Sequence, residues 1–332
     1  MQDSDKKNRK KIWLHCIVFF VVLAVLLDAV SQVFLYTAVD TQNAPLLRRN
    51  GAEADLLAQE KDSIDVLVIG DSEAFSSFSP LQVYHYTGIT SYVAAQPSQT
   101  MAEMKHMLHV GLSTQHPHVV MLETDALYRD ASSLTGMEDI LEEDLNRVFP
   151  VFQFHNLWKM LGSKNDVRAV SWKGYYLNKD INAFVALDSY MTASNQQKKL
   201  FWLNMIILNQ IRQEVKDAGA QLVLYSSASP VNYTMAKHNY LKNLAEDWGI
   251  TYIDCNMMTE KIGIDWSKDT RDKGDHLNDD GAWKVTDYMI SILETMDLPD
   301  HRGDPAYSSW DEMTDQFLEL VNANLREISK KR

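Results

Sequence analysis

Short apolar runs alternate with longer amphipathic segments through most of this chain. Four segments repeat apolar residues at the spacing of a helix: 101–115, 198–218, 235–248 and 280–296. Five runs of four to seven mainly apolar residues predict buried strands: 64–69, 90–93, 118–124, 221–227 and 250–254. Strands that alternate with helices are typical of an α/β fold, so we predict a sandwich of helices around a parallel sheet.

The longest apolar run lies near the N-terminus, at residues 13–36, and contains one charged residue, Asp28. Its 24 residues, at about 1.5 Å rise each, can cross a hydrocarbon core of about 30 Å. Residues 1–12 carry five Lys or Arg against two Asp, so the positive-inside rule predicts a cytoplasmic N-terminal tail. The run is longer than that of a cleaved signal peptide and no A-x-A-like site follows it, which favours an uncleaved signal anchor. Asp28 either approaches the outer interface or contacts a partner, and both readings stay open.

The residues beyond this anchor are predicted to lie outside the cytoplasm and to divide into three parts. Residues 37–62 are polar and mixed, and they predict a stalk between membrane and domain. Residues 63–296 contain the predicted sheet, whose alternation is interrupted at 126–197 by an acidic stretch and an aromatic one, which predicts a helical cap. Residues 297–332 predict a polar tail with one amphipathic segment, at 310–325.

The charge balance and the cysteines narrow the class of function. The 332 residues include 45 Asp or Glu and 32 Lys or Arg, and the net charge of −13 argues against nucleic-acid binding. Cys16 and Cys255 lie far apart in dissimilar surroundings, so they predict neither a disulfide framework nor a zinc site. We expect no metal and no cofactor.

Two short motifs carry the candidate chemistry. Gly70-Asp71-Ser72 follows the first predicted strand, and ligands in open α/β sheets bind beyond the carboxyl ends of the strands. Ser72 is the leading candidate nucleophile, but a serine hydroxyl needs a neighbouring base, normally a histidine held by a carboxylate. The loop at 272–278 follows the last predicted strand, and its Asp275-His276 pair supplies both groups.

In these motifs the sequence resembles the SGNH or GDSL hydrolase superfamily. The similarity extends through residues 70–80, which read GDSEAFSSFSP, and residues 274–282, which read GDHLNDDGA. Both segments are similar to a membrane-anchored bacterial branch that includes the D-alanyl transfer protein of lipoteichoic acid and exopolysaccharide O-acetylation proteins. The resemblance covers residues 60–296 and implies a three-layer flavodoxin-like α/β sandwich, with Ser72 as nucleophile and His276 as general base.

The acid that would orient His276 departs from the pattern of the superfamily. That pattern places the acid three residues before the histidine, and this position is Lys273 here. Asp275, directly before His276, is the preferred orienter, and Asp272, four residues before it, is the alternative. The sequence leaves both open.

The oxyanion hole departs from the pattern as well. The superfamily uses the backbone N–H of the serine, a glycine after the second strand and an asparagine after the third. Here those regions read AAQPSQ at 94–99 and ETD at 123–125. The backbone N–H groups of Ala95 and Ser98 are candidate donors, because such donors need no particular side chain. Asp125 stands in place of the asparagine, and its carboxylate cannot donate a hydrogen bond unless it is protonated.

The predicted activity is serine-dependent ester hydrolysis or acyl transfer on a cell-surface polymer, through an acyl-serine. The resemblance implies two partners, a polysaccharide or teichoic-acid-like polymer and a membrane-bound acyltransferase. The apolar run 13–36 adds the lipid bilayer as a third. Candidates for binding the sugar or the acyl group lie in the insertion: His155, Trp158 and Tyr175. A second hypothesis makes the protein a non-catalytic accessory subunit that binds the polymer or such an acyltransferase. The altered oxyanion positions favour it, and the retained Ser72 and His276 disfavour it.

Overall fold

A computed structural model describes residues 2–39, 51–129, 133–154, 171–185 and 190–330 of the chain. Its centre is a five-stranded parallel sheet in the order β2-β1-β3-β4-β5, so the predicted flavodoxin-like α/β sandwich is confirmed. The strands are β1 (Val66–Gly70), β2 (Ser91–Ala95), β3 (Val119–Glu123), β4 (Gln221–Ser226) and β5 (Thr251–Asp254). The helices are α1 (Gln2–Val39), α2 (Gly51–Leu57), α3 (Ser72–Phe75), α4 (Pro80–Thr87), α5 (Met101–Thr114), α6 (Ser133–Val148), α7 (Val151–Phe154), α8 (Trp202–Asp217), α9 (Met235–Trp248), α10 (Thr259–Ile262), α11 (Asp279–Leu293) and α12 (Ser308–Lys330).

The register of the sheet determines which loops meet at its carboxyl edge. Gly70 of β1 pairs with Ala95 of β2, and Ile69 pairs with Leu122 of β3. Because the strands run in parallel, the loops that follow β1, β2 and β3 leave the sheet side by side. Candidate residues after three separate strands are thereby brought to one edge.

Helices cover both faces of the sheet, as five parallel strands with buried side chains require. Successive residues of a strand point to opposite faces. Leu67 and Ile69 pack into the core beneath α2, α5, α8 and α9, and Val66 and Val68 pack into the core beneath α3, α4 and α11.

Two segments that the sequence analysis placed outside the domain belong to it. Residues 51–57, assigned to the stalk, form α2, and Leu56 of this helix is fully buried in the core. Helix α12, assigned to the tail, buries Trp310 and Phe317 next to α4. The stalk and tail boundaries are corrected accordingly. Their polar composition concealed this packing, because an amphipathic helix buries only one of its faces.

The insertion predicted at 126–197 is helical only in part. Its helices α6 and α7 pack against α5 and α1 respectively, whereas residues 171–185 form neither a helix nor a sheet strand. The Tyr176 N–H donates to the Phe75 carbonyl at 3.0 Å, and the Asn182 N–H donates to the Thr270 carbonyl at 2.9 Å. The non-helical part therefore lies against α3 and against the loop that contains His276.

Helix α1 contains the predicted membrane span. Its residues 8–37 are long and apolar enough to cross a membrane, and most of their side chains are exposed. The end of α1 contacts the domain: the Val151 N–H donates to the Ser31 hydroxyl at 3.3 Å, and Phe34 packs near Phe154.

Candidate active site

Ser72 is the first residue of α3, directly beyond the end of β1. Asp71 caps this helix, because its carboxylate accepts a hydrogen bond from the Glu73 N–H at 3.0 Å. A Cβ atom at Gly70 would lie 2.6 Å from Ala74 Cβ and 2.7 Å from Glu123 Cβ, so only glycine fits there. This close approach of β1, α3 and the end of β3 positions Ser72 at the edge of the sheet.

His276 reaches Ser72 from the loop before α11. The ring Nε2 lies 2.8 Å from Ser72 Oγ, which is a hydrogen-bond distance. The loop is held at two points: the Thr270 hydroxyl donates to the His276 carbonyl at 3.0 Å, and the Ser229 hydroxyl donates to the Gly274 carbonyl at 2.9 Å. The fold thus joins two motifs that are 204 residues apart.

Asp272, the alternative acid of the sequence analysis, is the carboxylate in contact with the imidazole. One oxygen lies 2.6 Å from His276 Nδ1, and the other accepts the His276 backbone N–H at 2.6 Å. Asp275 lies farther away, with an oxygen 3.5 Å from Nδ1, and it accepts a hydrogen bond from the Asn232 amide at 2.8 Å. The geometry corrects the preference for Asp275, since Ser72, His276 and Asp272 form one hydrogen-bonded chain.

The backbone between Asp272 and His276 accounts for this choice of acid. Lys273 has a φ of 64° and Gly274 a φ of 87°, both in the left-handed region. Two successive left-handed residues turn the chain back, so that an acid four positions earlier faces the ring. Gly274 is required for a second reason, because a Cβ atom there would lie 2.8 Å from Pro230 Cγ.

This chain is similar to solved structures of two G-D-S-L proteins and of an acylhydrolase. One is a protein of Desulfitobacterium hafniense assigned to the lipolytic G-D-S-L family, at 11% identity and a TM-score of 0.38, with 69% of this chain and 98% of that one covered. A second, assigned as an acylhydrolase of Bacteroides fragilis, has 12% identity and a TM-score of 0.38, with coverage of 76% and 97%. A third, assigned as a GDSL-like lipase of Parabacteroides merdae, has 9% identity and a TM-score of 0.38, with coverage of 72% and 99%.

No family model and no curated protein matches this sequence. Identities and TM-scores of this size carry no information about activity. The chemistry of the chain has to be inferred from the geometry of its own site.

The candidate oxyanion residues differ in what they can donate. Ala95 ends β2 beside Gly70, and Ser98 lies in the following turn with a φ of 55°. The Asp125 N–H is already donated to the Glu123 carboxylate at 2.8 Å, so Asp125 offers no free backbone donor. The Ser72 N–H, at the first position of α3, has no hydrogen-bond partner within the described part of the chain. It is the clearest oxyanion donor of the site.

The sequence analysis missed a second polar group in the turn after β2. Gln99 is fully buried, and both polar atoms of its side-chain amide are without a hydrogen-bond partner among the described residues. Such groups are rarely left unsatisfied inside a protein. The available signal was a polar residue in the turn after β2, at the carboxyl edge of the sheet.

Of the three candidates for substrate binding, the described structure includes Tyr175. It is buried, and its hydroxyl donates to the Asp279 carboxylate at 2.9 Å. Tyr175 lines a cavity of about 660 Å³, whose described wall includes neither Ser72 nor His276. His155 and Trp158 lie outside the described residues.

Three carboxylates are buried directly beneath Ser72. Burial, together with the charge of Asp125, raises the pKa of Asp71 to about 6, although the guanidinium of Arg129 opposes the shift. Burial and the charges of Asp71 and Asp125 raise the pKa of Glu123 to about 8. Burial and the charge of Glu123 raise the pKa of Glu73 well above its usual range. We call Asp71, Glu73 and Glu123 the buried carboxyl cluster.

Two partners of this cluster could not be predicted from the sequence. The Arg129 guanidinium forms an ion pair with Asp71 and lies 3.7 Å from Asp125. The Asn232 amide donates to Glu73 at 2.6 Å and to Asp275 at 2.8 Å, so it connects the cluster to the loop of His276. Both residues lie in loops, where neither periodicity nor a motif distinguishes them.

Among the described residues, one group of side chains has the spacing of a metal site. Glu73, Asp275 and His276 each have a potential ligand atom within 4.8 Å of the others. Both ring nitrogens of His276 are already hydrogen-bonded, to Ser72 and to Asp272. In this arrangement the imidazole offers a metal no free lone pair, and the residues fit a hydrogen-bonded triad better than a metal centre.

Proposed function

We propose that this chain is an SGNH-type serine hydrolase or O-acyltransferase, anchored to the membrane and acting on esters of a cell-surface polymer outside it. The observation that carries the proposal is the contact of 2.8 Å between His276 Nε2 and Ser72 Oγ, with Asp272 at 2.6 Å from Nδ1. A serine, a histidine and a carboxylate in this order are the groups that activate a hydroxyl for acyl transfer.

The reaction follows from the roles of these three side chains. Ser72 Oγ attacks the ester carbonyl carbon while its proton passes to His276 Nε2, and the Ser72 N–H donates to the oxyanion. Asp272 accepts the hydrogen bond of the Nδ1 proton and stabilises the imidazolium. The bond to the leaving oxygen then breaks, His276 returns the proton to the departing alcohol, and the acyl group remains on Ser72.

The second half of the reaction decides between hydrolysis and transfer. Water or a sugar hydroxyl gives its proton to His276 and attacks the acyl carbon, and the ester bond to Ser72 Oγ breaks as the proton returns to it. Both acceptors use the same three residues. The mechanism is therefore the same for both acceptors, and the outcome depends on whether water or a sugar hydroxyl reaches the site.

The proposed location rests on the basic N-terminal residues of α1 and on the apolar residues that follow them. The cationic residues of 1–12 favour a cytoplasmic N-terminus, and the apolar residues 13–36 then lead the domain outward. Of the two polymers that the resemblance implies, the net charge of −13 favours an uncharged or cationic polysaccharide over a teichoic-acid-like polyanion.

A fluorophosphonate probe that cannot cross membranes tests the nucleophile and the orientation together. Intact spheroplasts that express the full chain should become labelled, and Ser72→Ala should abolish the label. Ser291→Ala, which changes an exposed serine of α11, is the matched control and should label normally. Label that appears only after detergent treatment would reject the outward orientation, and label that persists in Ser72→Ala would reject this nucleophile.

The accessory function remains a second candidate because of Asp125. A carboxylate paired with Lys237 at 3.5 Å and Arg129 at 3.7 Å stands where an amide donor would complete an oxyanion hole. A wild-type chain that never reacts with the probe, while Ser72→Ala still supports the surface modification in cells, would favour the accessory function.

A further inference from the structure

Helix α6 has an apolar stripe on its exposed side. Met137, Leu141, Leu145 and Val148 are 46–67% exposed, and we call these four residues the α6 stripe. At 3.6 residues per turn they lie within an arc of about 80° on the helix. The next exposed positions around that arc are acidic, with Glu138 on one side and Asp144 on the other.

The opposite side of α6 is fixed to the domain. Ile140 packs against the core beneath α5, Glu143 lies 3.8 Å from the His106 ring, and Asn146 is buried. The stripe is thus exposed because of the way α6 packs. Apolar patches that a folded domain leaves uncovered mark surfaces for a protein, a ligand or a membrane.

The contact between α1 and α7 sets the height of this surface above the membrane. Counted from Ile12, the first residue after the basic segment, about 20 helical residues cross a hydrocarbon core of about 30 Å, and the twentieth is Ser31. Trp13 and Tyr36 are strongly exposed near the two ends, where interfacial aromatic residues are found in spanning helices. Ser31 accepts the hydrogen bond of the Val151 N–H, so α7 lies level with the outer headgroups.

Because α6 ends at Val148, only three residues before Val151, the Val148 end of the α6 stripe lies at about the same height. We propose that the α6 stripe inserts into the outer headgroup region of the lipid bilayer and fixes the orientation of the domain on the membrane. This inference rests on the proposed membrane anchoring by α1. An amphipathic helix that lies in the interface buries its apolar face at the boundary of headgroups and acyl chains.

The charges around the stripe predict which lipids matter. The exposed charged residues of α6 are Glu138, Glu142, Asp144 and Arg147, and Arg147 pairs with Asp144 at 3.3 Å. The described surface around the stripe is therefore net acidic. Binding therefore depends on apolar burial, and anionic lipids should not strengthen it.

Fluorescence quenching in proteoliposomes of phosphatidylcholine tests the insertion. The full chain would carry Cys16→Ser and one new cysteine, Leu141→Cys, labelled with an environment-sensitive dye; the remaining Cys255 is fully buried. Phosphatidylcholine with a nitroxide near the headgroup should quench this label at least about twofold more than the label of the control, Glu142→Cys. Replacing a quarter of the lipid with phosphatidylglycerol should not increase the quenching.

Two further measurements separate the possible failures. A label on the native Cys16 should be quenched by a nitroxide in the upper part of the acyl chain, because this residue lies about 6 Å inside the edge of the hydrocarbon core. If Cys16 is quenched and Leu141→Cys is no more quenched than Glu142→Cys, the docking of α6 is refuted while the anchor stands. If the Cys16 label is not quenched, both the anchoring by α1 and the insertion of the α6 stripe are refuted.

A Leu141→Cys label that is shielded by protein, with a signal that rises with protein density, would show that the stripe contacts a second copy of the chain. This result would overturn the proposal. Fluorophosphonate labelling of Ser72 in the same samples reports the ester chemistry separately.

Discussion

Carboxyl groups lie both at the surface of the site, beside His276, and beneath Ser72, but their surroundings are opposite. Asp272 lies on the loop before α11, with 37% of its side chain exposed, and it bonds to His276. Asp71, Glu73 and Glu123 of the buried carboxyl cluster are at most 1% exposed and lie under the start of α3. The Asp272 carboxylate contacts both water and the imidazole, whereas the three carboxyl groups of the cluster are buried close to one another.

Exposure to water explains why Asp272 and the buried carboxyl cluster differ in function. Asp272 is partly exposed and lies beside the ring, where a carboxylate can stabilise an imidazolium. In the buried cluster, desolvation and mutual repulsion raise the pKa of each member, so that Glu123, at about 8, holds a proton at neutral pH. Beneath the serine, Asp71 pairs with Arg129, whereas Glu73 and Glu123 serve as hydrogen-bonding groups. The carboxylate that contacts His276 lies above them.

The largest expected effect is a difference in kcat between variants of Asp272 and Asp275, the two acids near His276. Asp272→Asn keeps the shape but removes the charge that holds the Nδ1 proton, so kcat for a chromogenic ester should fall at least about 10²-fold. Asp275→Asn is the matched control, because its carboxylate bonds to Asn232, and kcat should change less than about 10-fold. Equal losses in the two variants would contradict the assignment of Asp272.

A smaller effect concerns the ion pair that balances the cluster. Arg129→Met leaves Asp71 buried without its cation and should lower the free energy of unfolding by about 1–3 kcal/mol, measured by urea denaturation in detergent. Arg147→Met removes an exposed pair with Asp144 at 3.3 Å, and it should change that energy by less than about 0.5 kcal/mol. Similar changes in the free energy of unfolding for the two variants would mean that burying Asp71 without its cation costs little stability.

The third effect is a change in the free energy of unfolding with pH, at most about 1.4 kcal/mol per pH unit. The pKa of Glu123 is raised from 4.5 to about 8, so between these values the native state holds a proton that the unfolded chain releases. The free energy of unfolding should therefore fall as the pH rises from about 5 to about 8. Glu123→Gln removes this titration and should flatten the slope, whereas Glu142→Gln, at an exposed position, should leave it unchanged. A slope that steepens in Glu123→Gln would exclude a raised pKa for Glu123.

The sequence predicted the sheet and two members of the triad for reasons that are local. Each predicted strand and helix of the domain is present, with ends that differ by at most four residues, because apolar periodicity records which side of an element is buried. Ser72 could be singled out because it follows a predicted strand closely, and His276 because it lies in a loop shortly before a predicted helix. The apolar run 13–36 likewise predicted α1 from length and composition alone.

Tertiary structure alone decided which acid meets His276, which segments join the core and what lies beneath Ser72. The choice of Asp272 depends on the left-handed backbone of Lys273 and Gly274, and on the hydrogen bond from Ser229, which belongs to a distant loop. The burial of α2 and α12 depends on surfaces offered by other helices. The raised pKa values of the cluster come from the convergence of β1, α3 and β3, and no stretch of sequence contains the distances between them. Local patterns report the environment of one element, and the contacts between elements exist only once the chain has folded.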